Sequence, residues 1–120
     1  MSLFESFTDE TFTVPVEFTV PLVNGTKKYT CTGHFNHFPQ DVIDDIIDGI
    51  NADSEDGDLG VYNKVLNGWA DLKDKSGREI VFSQDNKLDM SQIVAFRTAV
   101  IKAYFKAVSG GGSRSRRKNA

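Results

Sequence analysis

The chain has 120 residues, 26% of them charged and 39% hydrophobic, the balance of one modest globular domain with its own core. Its single cysteine, Cys31, excludes an internal disulfide framework, and no run approaches the roughly 20 apolar residues that span a bilayer. The net charge of -3 hides a polarity: Arg114, Arg116, Arg117 and Lys118 lie in the last seven positions, so residues 1–108 hold ten basic against all 17 acidic residues.

The opening, MSLFESFTDE, has neither a basic n-region nor a long apolar run, so a signal peptide is not expected. Residues 1–11 read as a mobile lead-in. From Thr13 the pattern alternates: Val14, Val16, Phe18, Val20 and Leu22 share one face, and Pro15, Glu17, Thr19 and Pro21 the other, as in a half-buried strand. Asn24-Gly25 signals a hairpin. The return strand, Lys27–His37, puts Tyr29, Cys31 and Phe35 on one face and Lys28, Thr30, Thr32 and His34 on the other. Opposing the apolar sets pairs Val20 with Tyr29, Phe18 with Cys31 and Val14 with Phe35. A two-residue Asn-Gly loop in that register would ask Pro21 for a ladder donor it lacks. A four-residue loop, Val23–Thr26, is therefore expected, with the first strand at a sheet edge.

Pro39 suits a helix start. Val42, Ile43, Ile46, Ile47 and Ile50 follow at helical spacing, with Asp41, Asp44, Asp45 and Asp48 off that stripe. Asn51–Gly57 is a polar loop. A second helix is expected from about Asp58, with Leu59, Tyr62, Leu66 and Trp69 three and four apart. A turn-containing connector, or small hairpin, comes next, with Leu72 and Ile80–Phe82 pointing inward. Ser83 suits the N-cap of a turn over Gln84–Leu88, and Ser91 can cap again. The last helix, Gln92–Val108, carries Ile93, Phe96, Val100, Tyr104 and Val108, widened by Ile101 and Phe105. Ser109-Gly110-Gly111-Gly112 ends it and begins a flexible tail. The fold class is α+β: an N-terminal antiparallel hairpin packed on about four helices within residues 1–108, with a disordered basic tail over 109–120.

Few constellations carry chemistry. Cys31 and His37 share a strand face but His34 does not, and a fourth metal ligand is missing. With Gly57 as the turn glycine of a calcium loop, the first and last ligand positions would be Ala52 and Asn63, neither of them the required acid. No glycine-rich phosphate loop or nucleophile motif is present. Neither an enzyme nor a cofactor is expected. Eight acids between Asp41 and Asp58 form a solvated face or a docking face for a basic partner. The basic tail reads as a solubilising end, a weak phosphate binder, or a ligand for an acidic surface, including the protein's own acidic helix.

Val65-Leu66-Asn67-Gly68-Trp69, Asp74-Lys75-Ser76-Gly77 and Ile80-Val81-Phe82-Ser83 resemble the tail assembly chaperones of long-tailed bacteriophages. So do the helix containing Val100-Ile101-Lys102-Ala103-Tyr104-Phe105-Lys106-Ala107 and the terminal Arg117-Lys118-Asn119. The similarity covers Val65–Asn119. It implies a non-enzymatic protein that binds the tape measure protein, keeps it soluble and helps tail-tube subunits assemble around it. It implies action in the cytoplasm of the infected bacterium and absence from the mature virion. Trp69, Gly77 and Phe82 would be fold determinants. The client surface is expected beside the last helix, at Val100, Ile101, Tyr104 and Phe105, with Asp41, Asp44, Asp45 and Asp48 steering basic stretches. Two other readings are a small nucleic-acid-associated protein acting through Arg114, Arg116, Arg117 and Lys118, and a self-assembling structural tail component. Homo-oligomer formation stays open, and no membrane partner is expected.

Overall fold

The computed structural model describes residues 3–51 and 57–109. Their elements run α1 (Leu3–Phe7), β1 (Thr11–Leu22), β2 (Gly25–Asn36), α2 (Gln40–Asn51), α3 (Gly57–Val65), β3 (Leu66–Ala70), α4 (Gln84–Ser91) and α5 (Val94–Val108). The fold is α+β, with one antiparallel sheet ordered β1-β2-β3. It holds three strands and five helices among the described residues, one strand and one helix beyond expectation.

Alternation builds β1 as expected. Val16 and Phe18 are buried, Val14 and Val20 pack at the margin of the core, and the residues between them face water. The register, however, differs by two residues. Phe18 lies opposite Tyr29, Val16 opposite Cys31, and Val14 and Val20 opposite Gly33 and Lys27 rather than Phe35 and Tyr29. The loop is only Val23-Asn24, with Leu22 opposite Gly25.

Two constraints explain the shift. The first is aromatic pairing: Phe18 stacks on Tyr29 at 5.3 Å and Phe12 lies 5.7 Å from Phe35, so rings oppose rings across the strands. The second is proline. Flanking a two-residue loop makes Leu22 and Gly25 a hydrogen-bonded pair, and alternation then places Pro15 and Pro21 at sites whose nitrogens face the free edge. Moving the tight loop back one residue thus achieves what the longer loop was expected to do. Gly25 accommodates the turn at φ 133°.

Gly33 lies on the central strand, between Val14 on β1 and Trp69 on β3. A Cβ there would lie 2.8 Å from the Phe35 ring and 2.9 Å from Val16 Cγ2. The missing side chain is the space that the fully buried Phe35 fills.

The expected second helix stops at Val65. Leu66 and Trp69 belong instead to β3, which pairs with β2 through Gly68–His34 and Trp69–Gly33. The register slips between His34 and Phe35, leaving Asn67 unpaired as a bulge. A bulge turns residues three apart to the same face, so Leu66 and Trp69 both reach the core. Their helix-like spacing is the spacing of a bulged strand.

Other boundaries also move. Residues 3–7 form a short helix rather than an unstructured lead-in, and Phe4 sets its edge against His37 at 5.1 Å. Ser83 caps α4, its Oγ accepting from the Asn86 amide at 3.0 Å. Ser91 caps nothing. Its hydroxyl donates to Leu88 O, and α5 starts two residues later than expected, after an Ile93 N-cap with no side-chain bond. The acids Asp53, Glu55 and Asp56 and the tail residues 110–120 lie outside the described residues.

Cations from successive helices close the helix ends. Lys87 of α4, buried at 8% exposure, donates from Nζ to Asn63 O at 2.9 Å and Leu66 O at 2.8 Å, where α3 ends. Tyr62 of α3 returns a bond from its hydroxyl to Lys87 O at 2.7 Å. Arg97 of α5 donates to Ser91 O at 2.6 Å, the carboxyl end of α4. Each cation meets the negative end of a helix dipole.

Two substitutions test this packing in urea unfolding. Gly33→Ala forces Phe35 and Val16 apart and should cost about 1–3 kcal/mol; unchanged stability would show that the contact relaxes freely. Lys87→Met keeps the stem but strands the carbonyls and should cost about 1.5–3 kcal/mol; a neutral result would show that water replaces the ammonium.

Candidate partner-binding surfaces

The segment from Val65 to Ser83 is tied together by its tryptophan. Trp69 Nε1 donates to Ile80 O at 2.7 Å, and its ring meets Phe82 edge-on at 4.9 Å and Phe96 at 5.7 Å. Between these anchors the chain makes a small hairpin, with Lys73 bridged to Glu79 and Gly77 at φ 85°. Asp74 organises the turn. Its carboxylate accepts from the Arg78 and Ser76 amides and from Arg78 Nε, and the Arg78 amide above all holds it below the ordinary carboxylate range. Leu72 is buried and Ile80 and Phe82 are half-buried, but Val81 between them is 67% exposed, so the Ile80–Phe82 run alternates instead of pointing wholly inward.

The expected client surface is divided by burial. Val100 and Tyr104 are fully buried and belong to the core, where Tyr104 packs against Phe12 and Phe35. Presenting them to a partner would require opening the domain, which corrects their assignment to a docking face. Ile101 and Phe105 remain half-buried. Phe105 lines a cleft of about 460 Å³ with Ile43 and Ile47 of α2 and Ser109. Asp41, Asp44, Asp45 and Asp48 are all exposed on α2. Arg114, Arg116, Arg117 and Lys118 lie outside the described residues.

A groove does run beside α5, but on a different face. About 640 Å³ in volume, it lies between that helix and β1. Val14 and Phe18 line the strand side, and Ala95, Ala99, Ala103 and Ala107 the helix side. The alanines recur every four residues, so they form one low ridge along α5. Glu17, Lys102 and Lys106 also line the groove. The signal was present in the sequence as an alanine period, but the bulkier stripe beside it dominates the pattern.

A second cleft, of about 740 Å³, lies between β2 and the small hairpin. Lys27 and Lys28 reach it from one side and Lys73 and Lys75 from the other, with Tyr29 and Asp71 between them. These residues are more than 40 positions apart, and only the sheet brings them together.

The strand residues that resembled metal ligands separate. Cys31 is buried, its thiol pushed up to about 11 by burial and then by Asp71. His37 packs against the Phe4 and Phe12 rings. Among the described residues no group of three or more His, Cys, Asp or Glu side chains is placed to hold a metal ion. Nor is any described helix long and apolar enough to cross a membrane. No family model, curated protein or solved structure matches this chain.

Three buried acids set the alkaline limit of the fold. Burial raises the Cys31 thiol from 9.0 to about 11 and the Tyr104 phenol from 10.0 to about 12. Among the described residues the Tyr104 hydroxyl meets no partner at full hydrogen-bonding geometry, and the nearby Phe38 amide offsets burial only in part. Tyr62 moves further in the same direction, through burial first and Cys31 second. The folded state holds these protons after the unfolded chain has released them. Their contribution is complete below about pH 9 and is lost as pH rises toward 12. Burial of Lys87 lowers its pKa, so stability gains from that group as pH rises toward 10.5. Three groups oppose one, and the urea midpoint should fall between pH 9 and 11; a rising midpoint would contradict the burial of Cys31 and Tyr104.

Proposed function

We propose that this protein is a non-catalytic tail assembly chaperone of a long-tailed bacteriophage, acting in the cytoplasm of the infected cell. It would bind the tape measure protein, keep it soluble and assist tail-tube assembly around it. The observation that carries this reading is the resemblance over Val65–Asn119. The three fold determinants it implies, Trp69, Gly77 and Phe82, lie on the tied stretch that runs from β3 to the start of α4.

The groove between β1 and α5 gives such a client a place. A ridge of alanines lets a partner helix approach more closely than larger side chains would, within the usual interaxial spacing of 8–10 Å. Half-buried Val14 offers apolar contact over the buried Phe18, and Lys102 and Lys106 on one wall and Glu17 on the other offer charged contacts. Long helical clients aggregate through exposed apolar stripes, and a groove of this kind covers one. Prolines in β1 disfavour addition of a strand at the same edge, which leaves a helix as the fitting occupant.

Co-expression with a candidate tape measure protein tests both parts. The wild-type protein should keep the client soluble and co-purify with it. Filling the groove with Ala99→Trp and Ala103→Trp should weaken co-purification about tenfold or more, a loss near 1.4 kcal/mol, while the circular dichroism spectrum stays native. An insoluble client with wild-type protein would contradict the function. Undiminished capture by a folded double variant would contradict the groove.

A further inference from the structure

We propose that the protein associates head to tail, the acidic face of α2 in one copy seated in the lysine-lined cleft of the next. This inference stands apart from the chaperone reading, since it uses neither the alanine groove nor the tied segment.

The cleft supplies the positive surface. Lys27, Lys28, Lys73 and Lys75 are all exposed, and two aspartates accompany them. Asp74 is occupied by its own turn. Lys28 also lies 3.7 Å from Glu17, a pair exposed by more than 60% on both sides and correspondingly weak.

The occupant is written on the same molecule. Asp41, Asp44, Asp45 and Asp48 are exposed along α2, which carries no lysine or arginine. Like charges four residues apart, Asp41 with Asp45 and Asp44 with Asp48, repel each other along the helix. Among the described residues none of the four has a cationic partner. Four carboxylates without cations and a cleft in which four lysines outnumber two aspartates are complementary in sign.

One copy cannot satisfy itself. Lys27 and Lys28 lie near the start of β2, and α2 begins just beyond its other end. A strand of 12 residues spans roughly 40 Å at about 3.3 Å each, close to the 47 Å length of the molecule. The two surfaces therefore sit at opposite ends. Contact between unlike ends is heterologous and propagates from copy to copy.

A nucleic acid fits the cleft less well. Single strands bind by stacking bases on aromatic faces. One face of Tyr29 is stacked on Phe18 at 5.3 Å, and Lys27 Nζ lies 5.4 Å from the ring centroid.

Sedimentation velocity of the full chain tests the proposal. At about 0.02 M salt the average mass should rise with protein concentration, and at about 0.5 M salt, where screening shortens the Debye length to a few ångströms, it should return to the monomer. Lys27→Glu with Lys28→Glu should abolish association, as should Asp44→Lys with Asp48→Lys. An equimolar mixture of the two variants should restore it, because each reversed surface then meets a matching partner. A variant with Arg114, Arg116, Arg117 and Lys118 changed to Ser should still associate. A wild-type protein monomeric at low salt, a mixture that fails to assemble, or loss of association in the tail variant would each overturn the proposal. So would capture of a single-stranded oligonucleotide that needs Lys27 and Lys28 while the protein stays monomeric.

Discussion

The fold depends on a side chain that is missing. Gly33 lies on the central strand where all three strands meet, and the Phe35 ring and Val16 occupy the space a Cβ would need. That space joins the aromatic pairs and the prolines in selecting the register, and it serves both strand pairings at once. On one side Val14 lies opposite the bare backbone, and Phe12 then meets Phe35 and Phe18 meets Tyr29. On the other, Trp69 lies opposite the same glycine. From there its indole reaches Ile80 and Phe82, so the small hairpin and the start of α4 inherit their position from a choice made on β2.

Charge does the same for the helices. Lys87 closes α3 and Arg97 closes α4, each from the following helix. A buried ammonium is costly unless its donors are used. Lys87 directs two bonds to backbone carbonyls that the end of a helix leaves without partners, so two penalties offset each other. Tyr62 completes the link from α3 back to α4. The rings of Phe96 and Tyr104 then join α5 to the sheet through Phe18, Phe12 and Phe35.

How much of this could be read from the residues alone depends on range. Local signals were legible: the alternation of β1, the apolar stripes of α2 and α5, and Ser83 as a cap. The β1–β2 register was not, because matching apolar to apolar leaves aromatic pairing undecided, and the space over Gly33 is a tertiary fact. β3 was hidden because its Asn67 bulge copies a helical period. The apolar stripe of α5 does not by itself separate core from surface: Val100 and Tyr104 are fully buried, Tyr104 against Phe12 and Phe35 of the sheet. The alanine groove and the lysine cleft need two distant segments brought together, and neither has a linear motif.

The proposed chaperone separates building from binding. In that proposal Trp69, Gly77 and Phe82 would hold the chain in shape, and the groove between β1 and α5 would receive the client. Hydrogen exchange on the protein alone and mixed with a candidate tape measure protein tests that division most directly. New protection should fall on residues 14–18 and 95–107, with little change across 69–82. Protection concentrated on residues 69–82, with the groove unchanged, would contradict it.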